Sequence, residues 1–181
     1  MKITMSKFLS NYWEEIYQKL KNLDVLKFEQ LRKKILSLNK KNKIILVGNG
    51  GSASISSHVA VDFTKITGKR AICFNEANLI TCFANDYGYS NWVVKALKSF
   101  AIPGDIIILI SSSGKSKNLI NACRFAKKNK YFISTFTGFE KNNPLSRLGN
   151  VNFWVESKKY NIIEMVHHIW LLSLVDNLVK K

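Results

Sequence analysis

Between Ser6 and Leu38 apolar residues recur at three- and four-residue intervals: Phe8, Leu9, Trp13, Ile16, Tyr17 and Leu20, then Leu26, Phe28, Leu31, Ile35 and Leu38. That period gathers them on helix faces, and the polar break at Asn22–Asp24 divides the segment into a helical hairpin. Such a hairpin cannot bury two aromatic-rich stripes unaided, so it is expected to pack on the rest of the chain or on another subunit. Beyond Lys43 the period is lost. Ile44–Val47 is a continuous aliphatic run closed by Gly48-Asn49-Gly50-Gly51-Ser52, the pattern of a parallel strand buried on both faces that feeds a glycine turn. The same reasoning predicts a helix over 53–67, a strand over 71–74 and helices over 78–84 and 90–100. A second apolar strand over 106–110 runs directly into Ser111-Ser112-Ser113-Gly114-Lys115-Ser116. A helix over 119–128, strands over 131–136 and 151–155 and a long apolar helix over 161–179 complete the chain.

Strands alternating with helices at this spacing predict an α/β fold: a three-layer sandwich with a central parallel sheet of about five strands, right-handed crossovers and helices on both faces. One domain spanning 1–181 is expected, with a hairpin over 1–40 and an α/β core over 41–181, because 181 residues at 46% apolar suit a single core. No charged-then-apolar leader precedes the hairpin, so the chain is read as cytoplasmic. Cys73, Cys82 and Cys123 are odd in number and lack metal-ligand spacing, which argues against a disulfide framework or a structural zinc site. The net charge of +16 permits an anionic partner. Most of the lysines sit at helical spacing beside apolar residues, and no arginine–aromatic surface or recognition module is visible, so nucleic acid is not the expected partner.

In open parallel sheets, ligands bind beyond the carboxyl ends of the strands, where both glycine/serine loops fall. Gly48–Ser52 offers consecutive backbone N–H groups at a helix start; a tight connection alone would also explain it. The second loop says more, since Ser111, Ser112, Ser113 and Ser116 bring hydroxyls and N–H groups together behind a buried strand, where an anion would be held. The GxxxxGK[ST] spacing is absent, which disfavours nucleoside triphosphate chemistry, and no nucleotide cofactor is expected.

The series Gly48–Ser52, His58 with an acid at 62, Ala84-Asn85-Asp86-Tyr87-Gly88-Tyr89, Gly104-Asp105, Ser111–Asn118 and Thr137-Gly138 resembles the phosphoheptose isomerase branch of the SIS (sugar isomerase) proteins. The resemblance covers about residues 44 to 180. It implies a flavodoxin-like SIS sandwich, a homotetramer and a phosphorylated-sugar substrate, with sedoheptulose 7-phosphate the best known and heptose biosynthesis the setting. It also implies that Gly50, Gly51, Ser52, Ser111, Ser112, Ser113 and Ser116 surround the phosphate while Asn49 and Asp86 contact the sugar. Read from the residues alone, Asn85-Asp86 could instead be a cap or turn.

Aldose–ketose isomerisation moves a proton between adjacent carbons through an enediol and needs a base and an acid. His58 and Asp62 are four apart and share a helical face, so Asp62 is the candidate base; a local His–Asp hydrogen bond is the alternative. Family members carry Glu where this chain has Asp62. The last helix departs further, because Asn161-Ile162-Ile163-Glu164-Met165-Val166-His167-His168 does not reproduce the family's Gln-Glu-x-His row. Glu164 still shares a face with His167 or His168, either of which is a candidate acid; a buried polar pair at a subunit contact would serve as well. Some family members bind Zn²⁺, for which His58, Asp62, Glu164 and His168 would be the ligands. Two further readings stay open: a non-catalytic phosphosugar-binding or regulatory module, and an isomerase of another phosphosugar.

Overall fold

The computed structural model describes residues 3–179. Two helices open the chain, α1 (Met5–Leu20) and α2 (Val25–Leu36), each begun by a side-chain cap: Thr4 accepts from the Lys7 amide, Asp24 from the Lys27 amide. Then follow β1 (Ile44–Gly48), α3 (Gly51–Thr67), β2 (Ala71–Cys73), α4 (Ala77–Tyr87), α5 (Trp92–Phe100), β3 (Ile106–Ser111), α6 (Lys117–Lys128), β4 (Phe132–Thr137), β5 (Val151–Trp154) and α7 (Tyr160–Leu178). The five strands form one parallel sheet in the order β2-β1-β3-β4-β5, with Ile44 opposite both Ala71 and Ile106, and Ile106 opposite Phe132. Helices lie on both faces, as expected from the alternation.

The apolar strands divide by residue parity. Ile44, Leu46, Ile106, Ile108 and Ile110 join a core built with α2, α3 and α7, while Ile45, Val47, Ile107 and Leu109 join one built with α5 and α6. This explains why β1 and β3 read as unbroken apolar runs: a two-sided sheet leaves no solvent face for polar residues. Order 2-1-3 also makes the chain reverse its winding between β1 and β3, so the loops leaving these neighbouring strands diverge and open a crevice at their carboxyl ends.

Below the crevice the two strands are pinned at their start. Asp105 is fully buried and accepts from the Lys43 amide (2.9 Å), Lys43 Nζ (2.6 Å), Asn42 Nδ2 (3.2 Å) and the Ile102 amide (3.0 Å). The Gly104-Asp105 pair of the sequence motif is thus an anchor of β3 to β1. The hairpin behaves unevenly: α2 buries Leu31 and Ile35, whereas α1 buries no residue and leaves Trp13 63% exposed. No helix among the described residues is long and apolar enough to cross a membrane. The three cysteines are free thiols, and burial pushes that of Cys123 up to about 12.

Candidate active site

At the carboxyl ends of β1 and β3 lies a cavity of about 120 Å³ lined by Ser52, Ser111, Ser112, Ser113 and Ser116, with Asn49, Tyr160 and Glu164 completing the wall. The start of α3 at Gly51 and of α6 at Lys117 bring the positive ends of two helix dipoles to this end of the sheet, where the amides of Ser52, Ala53 and Leu119 already bond Asn49 O, Gly50 O and Ser116 O. Ser111 and Ser116 share a hydroxyl–hydroxyl bond of 3.1 Å across the serine loop. The β4–β5 connection braces that loop from behind: the Gly138 amide donates to Ser112 O (2.7 Å) and the Leu145 amide to Gly114 O (3.1 Å). Both loops named from the sequence therefore meet in one cavity. No lysine or arginine is among the described residues lining it, so an anion there would be held by hydroxyls and backbone dipoles.

Glu164 enters from α7. A β-carbon at Gly51 would overlap its carboxylate, so the absence of a side chain at Gly51 is what lets α7 bring this acid against the start of α3. Ser112 Oγ stands 3.5 Å from Glu164 Oε1, and burial raises the Glu164 pKa above the usual carboxylate value. Across the cavity Asn49 and Asn118 exchange amide hydrogen bonds of 3.0 and 2.9 Å, and the Tyr89 hydroxyl donates to Asn49 Oδ1 at 3.1 Å.

Further down the same helices, His58 Nε2 lies 3.2 Å from Asp62 Oδ2 and His58 Nδ1 lies 2.9 Å from His168 Nε2. The carboxylate can only accept, so His58 donates from Nε2 and accepts at Nδ1 from His168, giving a chain His168–His58–Asp62. Burial, the neighbouring imidazole of His58 and, in the opposite sense, Asp62 act on His168, with a net lowering of its pKa. His168 follows Glu164 by four residues, about 6 Å along the helix axis, so the chain stands beside the cavity rather than in its wall.

Three of the expected groups lie apart from the cavity or from one another. His167 is fully buried, with Nε2 3.1 Å from Thr137 O and its ring against Phe136, and burial pulls its pKa down to about 4; enclosed by the core, it is not an acid within reach of the cavity. Asp86 falls in the last turn of α4, exposed and bonded to its neighbour Asn85, because α4 runs on past 84 to the stop at Gly88; Tyr89 reaches Asn49 in its stead. The Zn²⁺ set is divided: among the described residues no group of three or more His, Cys, Asp or Glu is arranged to hold a metal. His58 spends its two nitrogens on His168 and Asp62, while Glu164 turns to Gly51 and Ser112. Tyr160 was not expected at the site; it bears no sequence signal beyond opening α7. Asn118 could have been suspected as a polar residue at a helix start that is 2% exposed.

Known proteins with this geometry are found on both sequence and structure. A phosphoheptose isomerase of Thermodesulfovibrio yellowstonii is 37% identical over 153 residues, covering 79% of this chain and 75% of its own. One from Colwellia psychrerythraea is 34% identical over 143 residues, covering 75% and 73%. The solved phosphoheptose isomerase of Neisseria gonorrhoeae superposes with a TM-score of 0.86 at 24% identity, over 97% of this chain and 98% of that one, a likeness of fold. The SIS domain profile matches residues 10–138, a stretch holding most of the hairpin, both glycine/serine loops and the strands that they follow. With a 2-1-3-4-5 sheet, a serine cavity at its switch point and relatives of this kind, the chain belongs to the SIS domain family, in its phosphoheptose isomerase branch.

Proposed function

We propose that the chain, a phosphosugar isomerase, interconverts sedoheptulose 7-phosphate and an aldoheptose 7-phosphate through an enediol. The observation that carries this reading is the union of Ser52, Ser111, Ser112, Ser113 and Ser116 in one cavity with a carboxyl, Glu164, set into its wall. The phosphate occupies the serine cavity and the loops hold it by N–H and O–H donors, including those of Gly50 and Gly51 at the start of α3. The carbon chain then extends out of the small cavity, past Asn49 and Glu164, toward the His168–His58–Asp62 chain. There Asp62, oriented by His58, takes the proton from the carbon next to the carbonyl and returns it to the neighbouring carbon; His168 serves the oxygens as acid by giving up the Nε2 proton that it otherwise shares with His58. Glu164, whose carboxyl is biased toward its neutral form by burial, hydrogen-bonds the substrate.

The working unit is proposed to be a homotetramer in the cytoplasm, where phosphorylated sugars are made and used. The assembly is supported by α1, which has no fully buried residue and leaves Trp13 and Tyr17 exposed, and by Val61, Met165 and Ile169, exposed on the helices that carry His58 and His168. The experiment is turnover of sedoheptulose 7-phosphate in deuterated water followed by NMR, with and without a chelator, for the wild type, Asp62→Asn and His168→Ala. Expected is deuterium at the carbon adjacent to the carbonyl, lost by roughly 10²-fold or more in each variant. Binding without exchange in the wild type would reject sedoheptulose 7-phosphate as the substrate, and full exchange in Asp62→Asn would reject the base.

A further inference from the structure

The Asn49 amide has four hydrogen-bonding capacities, two at oxygen and two at nitrogen. Three are committed inside the protein. Oδ1 accepts from Asn118 Nδ2 at 2.9 Å and from the Tyr89 hydroxyl at 3.1 Å, and Nδ2 donates to Asn118 Oδ1 at 3.0 Å. One N–H is left, on a residue that lines the serine cavity. The three partners come from different parts of the fold: Asn49 follows β1, Tyr89 lies in the turn between α4 and α5, and Asn118 is in the first turn of α6. Asn118 is 2% exposed, so its amide has no water to bond and is tied to Asn49. Tyr89 is 55% exposed and has no part in the core. A ring so placed, whose hydroxyl reaches back to the cavity wall, is poorly explained by packing.

We propose that Tyr89 and Asn118 are positioning residues that fix the Asn49 amide so that its single uncommitted N–H is offered to an oxygen of the bound sugar. The arrangement divides recognition between two parts: the serine loops take the phosphate, and the Asn49 clamp takes an oxygen of the carbon chain. Because three elements meet in the clamp, it also sets the distance between the loop after β1 and the start of α6. This inference rests on the phosphosugar reading and deepens it.

The test compares the wild type with Tyr89→Phe, which removes one exposed hydroxyl, and with Asn118→Ala. Two probes are titrated calorimetrically, sedoheptulose 7-phosphate and inorganic phosphate, and steady-state turnover is measured alongside. The expected result for Tyr89→Phe is a five- to tenfold weaker grip on the sugar phosphate, the size of one lost hydrogen bond, with inorganic phosphate held as in the wild type. In turnover the loss appears mainly in KM. A Tyr89→Phe protein that binds the sugar phosphate like the wild type overturns the inference alone, as does one that loses both probes equally, since that marks a displaced loop. A wild type that binds inorganic phosphate but not the sugar phosphate overturns the inference and the phosphosugar reading together.

Discussion

Glu164 carries the sharpest local contradiction in the molecule. It shares a cavity with the groups that would hold a phosphate, no cation lines that cavity among the described residues, and a carboxylate there would repel a phosphate across a poorly solvated gap. The conflict disappears if the acid is neutral, and burial already pushes its pKa upward. The sign follows: below its pKa Glu164 is protonated and the site accepts the anion; as pH rises through that pKa the charge returns and binding weakens. Phosphate itself gains charge near pH 6, so the informative quantity is the difference from a variant that cannot ionise. Glu164→Gln should bind inorganic phosphate on the order of tenfold more tightly than the wild type at alkaline pH, the two converging as the pH falls toward the ordinary carboxylate range. A constant ratio across that range would show that Glu164 does not titrate with the ligand. His167 illustrates the limit of reading residues by spacing. It shares a helix with His168 one position on, yet that single step, about 100° of rotation, sends one imidazole into the core against Phe136 and the other to His58.

At the scale of elements, the order and type of helices and strands were legible from apolar period alone, because parallel strands buried on both faces and amphipathic helices leave different signatures. Boundaries slipped where a single residue decides them: α3 begins at Gly51 rather than 53, and α4 continues to Tyr87, which carries Asp86 into a helix. The serine loops were readable because strand and loop adjoin in sequence. The Asn49–Asn118–Tyr89 clamp was not, since its members are 69 and 40 residues apart and nothing local couples them. Asp105 belongs to the same class of long-range fact. It binds β3 to β1 through four donors at no exposure, so removing it strands a buried ammonium at Lys43. Asp105→Ala should cost about 3 kcal/mol in urea unfolding, and pairing it with Lys43→Met should recover a substantial part. An unfolding midpoint equal to the wild type's would deny the anchor its role.

For the whole molecule, the described lysines and arginines behind the +16 charge lie outside the lining of the serine cavity, where they can draw anions in without gripping them. The larger question is α1, attached by one face and bare on the other. Light scattering should return a tetramer at micromolar concentration for the wild type and a smaller species for Trp13→Glu with Tyr17→Glu; a wild-type monomer would refute the assembly. The final helix has a different bearing on the life of the chain. The central pair β1 and β3 joins residues 44–48 to 106–111, and α7 then contributes Ile163, Val166, Trp170, Leu171 and Leu174 to one of the two cores together with Glu164 to the cavity. During synthesis, therefore, the hairpin can form early, but one of the two cores stays open until α7 leaves the ribosome. A chain that stops before α7 lacks this cover and the Glu164 carboxyl at once, so truncation ahead of α7 is expected to cost activity and leave the chain open to proteases.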